Sequence, residues 1–477
     1  MFNAAIEGLA TVLQSHPWVA QLAGILPLSA LIDFIDTPLK LHIFELVGAV
    51  PLWSWPVTPA GSRLLLSDKH LQQTCSLDRF GSSVSWIALD GRYGDQYVVS
   101  SPETIRLCIS SQRARNIANL YENRVGKNLR IQSLEIVHIS RLSPQNQHEP
   151  SDSWLRHVFI DPWWIYSRHY LALSITGWII LLGMITMSSI LRCYLALTFL
   201  VVVPLTGSVI FSIYGSKPRG LLVSDSSSYN RLVLVAEHMN AMDWIVFYGE
   251  STIVNSLLNR PLEPKRPKTS SSVSSLLHII LRILILGQWA LALAASATQN
   301  WSSFFISFWV AFCIVFHSYM IPPQSEVKDW MKSCAKIRLE RYQTQLSSRR
   351  ALLNTIIALN PDTFSFSERT KQEDRTKFFE GATKWINPIL EPGPSRTRWE
   401  EATRTAMNEV PTQFSAEELA SEKGRNYKEN FLSSEWNQAH EGKENYWRDL
   451  IPEGIYMAAK IRLEANLPGR KVNTEPE

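Results

Sequence analysis

The chain has 477 residues and a formal net charge of +4; hydrophobic residues make up 45% of it and charged residues 19%. This length predicts two or three folded units. The composition is ordinary for a soluble protein, which limits any membrane-spanning part to local stretches. The charge is too small to indicate a nucleic-acid-binding protein, so no nucleic-acid partner is expected.

Residues 1–168 are predicted to form an N-terminal cytosolic region of mixed α+β structure. Two apolar stretches within it, Trp18–Ile35 and His42–Val57, are interrupted by acidic residues and prolines. A charge at the centre of a membrane helix costs about 2.5–3.5 kcal/mol. We therefore predict interfacial or buried helices here, with a membrane span as the open alternative.

The second half of this region carries turn, helix and strand signals. Asp90-Gly91 separates two strand-like runs, which predicts a β-hairpin. Ser101 followed by Pro102 predicts the start of a helix. The run LRIQSLEIVHISRL predicts a further strand. These signals favour a small folded domain, with a loosely folded lead-in segment as the alternative.

Four long apolar runs follow, in two close pairs, and each has close to the ~20 residues needed to cross ~30 Å of hydrocarbon. We predict a first transmembrane hairpin over 169–214 and a second over 276–322. The protein is thus expected to be a mainly α multi-pass membrane protein with about four transmembrane helices in two hairpins. The runs are Leu171 to about Ile190, Tyr194 to Tyr214, Leu276 to about Thr298 and Ser303 to about Met320.

The distribution of lysine and arginine orients these runs. Basic residues cluster before the first run, between the second and third, and after the fourth, whereas the two other connections hold only Arg192. The positive-inside rule then places both termini and the middle loop, 215–275, in the cytosol. The organelle is not determined by this pattern.

The middle loop contains VLVAEHMNAMDW, in which His238 and Asp243 have the H-x-x-x-x-D spacing of glycerolipid acyltransferases. In that chemistry an imidazole takes a proton from the acceptor hydroxyl and a carboxylate orients the imidazole. A strand ending at His238 and a helix beginning near Asp243 would bring the two together. His238 and Asp243 are therefore the candidate catalytic residues of a membrane-bound enzyme acting on a lipophilic substrate.

A structural role for the same residues is the competing interpretation, and the one we favour. Acyltransferases add a Pro-Glu-Gly block downstream, but the one in this chain, Pro452-Glu453-Gly454, lies beyond the second predicted hairpin. Asn240 or Asp243 would instead cap a helix running to about Asn259, because short polar side chains accept first-turn N–H bonds.

Metal and cofactor sites are not predicted. Five cysteines are scattered without a C-x-x-C pair, which favours a reducing compartment, and no H-E-x-x-H or phosphate-binding glycine loop is present. His278 and His317 lie near the ends of predicted spans and are expected to be solvated. The spans contain Arg282 and Gln288 but no acidic residue, which argues against an ion-coupled pump; a small-molecule exporter stays an alternative.

Residues 323–477 are predicted to be a helical cytosolic region. A basic amphipathic helix over 326–342 is expected to contact an anionic cytosolic leaflet through Lys328, Lys332, Lys336 and Arg338, with ordinary packing as the alternative. Near the end of the chain, PEGIYMAAKIRLE predicts a helix that opens at Pro452.

Three segments carry a resemblance: HMNAMDWIVFYGESTIVNSLLNRPLEP, KWINPILEPGPSRTRWEEAT and YWRDLIPEGIYMAAKIRLEA. They resemble a family of uncharacterised integral membrane proteins of filamentous fungi, some members of which are associated with secondary-metabolite genes. The resemblance implies a membrane location but assigns no role to any residue. The leading expectation is a non-enzymatic membrane or scaffold component, which only that association links to a fungal secondary-metabolite pathway.

Overall fold

The computed structural model describes residues 2–31, 36–48, 52–55, 58–65, 75–80, 85–119, 130–142, 168–214, 218–223, 226–227, 229–263, 271–320, 322–365, 383–409 and 450–467. The chain divides into two units. We call the first, formed by Met1–Gly81, Ser143–Gly220 and Glu263–Ala335, the bundle unit. We call the second, formed by Ser82–Leu142, Leu221–Leu262 and Lys336–Glu477, the sheet unit.

The described part of the chain is mostly helical, as expected. Its α-helices are, in chain order, α1 (Phe2–Ser15), α2 (Pro17–Ile25), α3 (Thr37–Val47), α4 (Pro59–Leu65), α5 (Ser76–Phe80), α6 (Pro102–Ser110), α7 (Arg168–Ile190), α8 (Tyr194–Tyr214), α9 (Ser251–Leu258), α10 (Ser271–Thr298), α11 (Trp301–Val315), α12 (Pro323–Ser333), α13 (Arg349–Leu359), α14 (Asp362–Ser365), α15 (Pro394–Glu409) and α16 (Leu450–Glu464).

Its strands form one mixed sheet in the order β2-β1-β5-β6-β4-β7-β3. Strand β4 runs parallel to β6, and β3 runs parallel to β7; the other neighbours are antiparallel. The strands are β1 (Ile87–Asp90), β2 (Gln96–Val98), β3 (Arg115–Asn116), β4 (Gln132–Arg141), β5 (Asn230–Ala236), β6 (Asp243–Glu250) and β7 (Ile337–Leu346).

The bundle unit contains three described helices long and apolar enough to cross a membrane: Ala172–Ile190, Tyr194–Tyr214 and Val273–Thr298. They match the first three predicted spans. At the position of the fourth predicted span, α11 is a shorter apolar helix, and a π-helical turn, Phe316–Met320, continues it.

Tryptophan and glycine set the packing of the bundle. Trp53 is fully buried, its Nε1 donates a hydrogen bond to the carbonyl oxygen of Ser174 at 3.1 Å, and its ring lies 4.6 Å from that of Phe316. A Cβ at Gly177 would lie 2.0 Å from the Trp53 ring, so only glycine fits there. Of the two weaker apolar stretches, the second begins in α3, which is buried along nearly its whole length. The residues of this stretch that belong to α3, His42–Val47, are therefore part of a buried helix of this unit.

Several predictions for the sheet unit are confirmed. Asp90-Gly91 does lie between two antiparallel strands, β1 and β2. Helix α6 begins at Pro102 after Ser101, and the run around Ile136 is strand β4. The C-terminal helix α16 begins two residues before Pro452, at Leu450.

The prediction of a helix from Asp243 is wrong, because Asp243–Glu250 is strand β6 and the helix begins only at Ser251. Asp243 and Asn240 therefore cap no helix. Strand β6 is paired on both sides and largely buried on both faces, so its sequence is a nearly continuous apolar run. Such a run has no period of two and is easily taken for a helix.

The basic helix predicted over 326–342 is also wrong in its extent. Helix α12 ends at Ser333, Lys336 has a positive φ of 52°, and β7 begins at Ile337. Lys328 and Lys332 therefore share an exposed helical face, whereas Arg338 lies on a strand and pairs with Glu340 at 2.6 Å. The C-terminal region is consequently not all helical, since β7 belongs to the sheet.

Candidate functional site

The turn between β5 and β6 carries the two candidate residues. His238 and Asp243 are both exposed, and the turn is closed by a bond from the Ala241 N–H to the His238 carbonyl oxygen at 3.0 Å. In the part of the chain that the structure describes, neither side chain forms a hydrogen bond or an ion pair. The imidazole is thus not held by the carboxylate, and no third polar group converges on the pair.

A pocket of about 360 Å³ opens beside the same turn, within the sheet unit. It lies where β4 and the helices α13 and α16 begin. Its walls combine three arginines with an apolar floor and contain no described acidic residue. The lining residues are Arg130, Gln132, Asn240, Ala241, Ser348, Arg349, Arg350, Leu353, Ile389, Leu390 and Leu450.

Arg349 is the central cation of this pocket. It is the first residue of α13, and its Nη1 donates to the Asn240 side-chain oxygen at 2.9 Å. Its guanidinium lies 5.7 Å from the centre of the Trp244 ring. Burial lowers the pKa of Arg349, and the charge of Arg130 lowers it further. The pocket therefore holds a cation that its own surroundings disfavour.

Two sets of buried polar atoms in this pocket are unsatisfied. The Nε and Nη2 atoms of Arg349 find no hydrogen-bond partner in the described part of the chain. The same holds for the side-chain oxygen of Gln132, a residue that is only 2% exposed. Buried polar groups are nearly always paired, so unpaired ones at a pocket wall are available to bind a polar group.

The Pro-Glu-Gly block has a structural position. The Glu453 carboxylate is buried and accepts hydrogen bonds from the Ser347 N–H at 2.9 Å, from the Ser347 hydroxyl, and from the Asn119 side chain at 2.8 Å. A Cβ at Gly454 would lie 2.3 Å from the Cβ of Asn354. Glu453 thus ties α16 to the end of β7, and Gly454 lets α16 approach α13.

A second polar cluster of the sheet unit is internally paired. The Tyr229 hydroxyl donates to the Asp362 carboxyl at 2.6 Å, the Arg92 guanidinium stacks 4.5 Å from the centre of the Tyr229 ring, and Arg231 pairs with the buried Asp90. Burial raises the pKa of Asp362 to about 6. Through these contacts the cluster joins β1, β5 and α14.

The bundle unit holds a further cluster around His317, which was predicted to be solvated and is instead buried. The His317 Nε2 lies 2.8 Å from the Ser54 hydroxyl, and the Lys40 Nζ donates to the His317 carbonyl oxygen at 3.3 Å. Burial raises the pKa of Glu326, which the charge of Lys40 opposes, and burial lowers the pKa of Lys40. Lys40 and Glu326 therefore act on each other's pKa through their charges.

Arg349 and Gln132 were not predicted from the sequence to be site residues. A signal existed for the arginine: Ser348 begins a helix, and Arg349 and Arg350 stand in its first turn. The first turn of a helix favours acidic residues, because the helix dipole is positive there. Gln132 carried no such signal, because its burial depends on residues distant in the chain.

No family model, curated protein or solved structure matches this chain. Among the described residues no group of histidines, cysteines and carboxylates is placed to hold a metal ion.

Proposed function

We propose that the protein is a non-enzymatic, multi-pass membrane scaffold that displays the sheet unit on the cytosolic side. The observation that carries this proposal is the origin of the sheet. Its strands come from three stretches, Ser82–Leu142, Leu221–Leu262 and Lys336–Glu477, and the apolar helices stand between them. A domain interrupted in this way stays attached to the membrane at several points of the chain.

The same observation supports four spans in two hairpins. Strands of one sheet lie on one side of a bilayer, so the chain crosses an even number of times between β4 and β5, and again between β6 and β7. Helices α7 and α8 supply two crossings. Helix α10 alone would leave β7 on the wrong side, so the return is assigned to α11 with its π turn, Trp301–Met320, which together have close to the ~20 residues of a span.

Reporter fusions test this topology. A reporter at residue 477 and one inserted near residue 240 are both expected to read cytosolic, because both positions belong to the sheet unit. A reporter at Gln299, between α10 and α11, is the control and should read from the opposite side. A cytosolic signal at Gln299, or opposite signals at 240 and 477, would contradict the four-span arrangement.

A membrane-bound enzyme that uses His238 is the second candidate, and one observation favours it. Asn240 and Ala241, from the same turn as His238, line the pocket. We expect His238→Ala and Asp243→Asn to leave function intact in complementation of a deletion strain, because both side chains are exposed and unpaired in the described structure. Loss of a general base would instead lower the rate by about 10²–10⁴.

Protein abundance is measured alongside, with Trp244→Ala as the control for damage to the fold, since Trp244 is buried. If His238→Ala abolishes function at normal abundance, the enzyme replaces the scaffold as the proposed function. Metabolite profiling of the deletion strain tests the association with secondary metabolism.

A small-molecule exporter has less support than either the scaffold or the membrane-bound enzyme. Gln288, the polar side chain within α10, donates to the Thr206 hydroxyl at 2.8 Å and to the Trp55 carbonyl oxygen at 3.3 Å. It thereby joins α10 to α8 instead of facing a passage. Contact with an anionic leaflet is proposed for Lys328 and Lys332 only, since these two share the exposed face of α12.

A further inference from the structure

The edge of an arginine formed by Nε and Nη2 is used repeatedly in the sheet unit to hold a carboxylate. Arg141 binds Glu250 through these two atoms at 3.0 and 2.7 Å. Arg341 binds Glu135 in the same way at 2.7 and 2.9 Å. This planar fork matches the two oxygens of a carboxylate or phosphate.

The same edge of Arg349 is buried, but no carboxylate in the described part of the chain occupies it. Its Nη1 is engaged by Asn240, which leaves Nε and Nη2 without a partner in the described part of the chain. No described carboxylate lines the pocket, whereas Arg130 and Arg350 do. Arg349 as a whole is half-buried, but its Nε and Nη2 are buried, and buried donors without an acceptor are unfavourable. The arrangement is therefore suited to an anion supplied from outside.

The position of Arg349 adds to this effect. It stands at the N-terminus of the 11-residue helix α13, where the helix dipole is positive and anions are bound in many proteins. Three arginines at such a place repel one another and the dipole. Gln132, buried and with an unpaired side-chain oxygen, lines the same pocket, and that oxygen can accept a hydrogen bond from a hydroxyl or N–H group of a ligand.

We propose that this pocket binds a small organic oxyanion, with its phosphate or carboxylate on the Nε–Nη2 edge of Arg349. The remaining walls are apolar, from Leu353, Ile389, Leu390 and Leu450, and would contact a compact apolar body. The volume of about 360 Å³ is within the ~300–1,000 Å³ typical of small-molecule sites. This inference does not depend on the scaffold proposal.

Thermal unfolding of the full-length protein in detergent, with phenyl phosphate as the probe, tests the site. A ligand that binds only the folded state raises the unfolding temperature in a saturable way. We expect such a rise with phenyl phosphate, a smaller one with inorganic phosphate, and none with phenol or with chloride at equal ionic strength.

Variants then assign the effect to Arg349. Arg349→Gln is expected to weaken phenyl phosphate binding at least tenfold, and Arg349→Lys, which keeps the charge but loses the fork, is expected to weaken it to a lesser degree. Arg338→Gln is the matched control, because Arg338 is an exposed arginine of the same unit outside the pocket. Arg130→Gln changes an exposed side chain and provides a second variant expected to weaken binding should Arg349→Gln fail to fold.

A lipid headgroup and a soluble metabolite present the same chemistry, and nanodiscs separate them. If phosphatidic acid in the disc gives an Arg349-dependent rise and removes the response to phenyl phosphate, the source is a lipid. If the response to phenyl phosphate is unchanged by phosphatidic acid, the source is soluble. An Arg349-independent response, an equal loss in Arg338→Gln, or no response to any of these anions overturns the proposal.

Discussion

Substitution of Gly249 by alanine is expected to disrupt the sheet unit. Gly249 lies on β6 opposite Ile139 of β4, and an added Cβ would lie 2.1 Å from the Ile139 carbonyl oxygen. The obstructing atom belongs to the backbone of a central strand, so the two strands must separate instead of one side chain rotating. Overpacking typically costs about 1–3 kcal/mol and occasionally more, and we expect at least the upper value here.

Limited proteolysis and thermal unfolding of the sheet unit within the full chain measure this effect. Gly393→Ala is the matched control, because no atom lies within 4 Å of the Cβ it would add. The control should unfold at the temperature of the unsubstituted protein. Equal stability of the Gly249 and Gly393 variants would show that β4 and β6 are not paired as described.

Substitution of Lys40 by methionine is expected to destabilise the bundle unit at pH 8, because an ionised Glu326 then loses the positive charge that acts on it. Lys40 is only 6% exposed, and its charge attracts Glu326, whose Oε2 is buried without a hydrogen-bond partner in the described residues. The variant therefore leaves a buried carboxylate uncompensated, whereas Lys332→Met, at an exposed position, should have little effect.

The pH dependence follows from the raised pKa of Glu326. A carboxyl whose pKa is higher in the folded state than in the unfolded state contributes stability at low pH and loses it as pH rises through the folded pKa. The deficit of Lys40→Met should therefore be smaller at pH 5 than at pH 8. Adding Glu326→Gln should restore most of the stability at pH 8. A double variant no more stable than the single one would refute the coupling.

Features that are set by residues adjacent in the sequence could be predicted without the structure. Long apolar runs predict, without any tertiary information, three described helices that are long and apolar enough to cross a membrane, because length and hydrophobicity are local properties. Local turn chemistry likewise predicts the hairpin at Asp90-Gly91 and the start of α6 at Pro102.

Which segments share a sheet, and which residues line the pocket, could not be predicted from the sequence, because both depend on contacts between residues distant in the chain. Strand β7 pairs with β4 across roughly 200 residues of chain, a distance over which periodicity carries no information. The apolar run in β6 has no period of two that would mark it as a strand, and its pairing with β4 and β5 selects the strand. His238 and Asp243 were identified by spacing, yet the pocket takes Asn240 from their turn and Arg349 from α13, because side chains converge through strand register and helix packing.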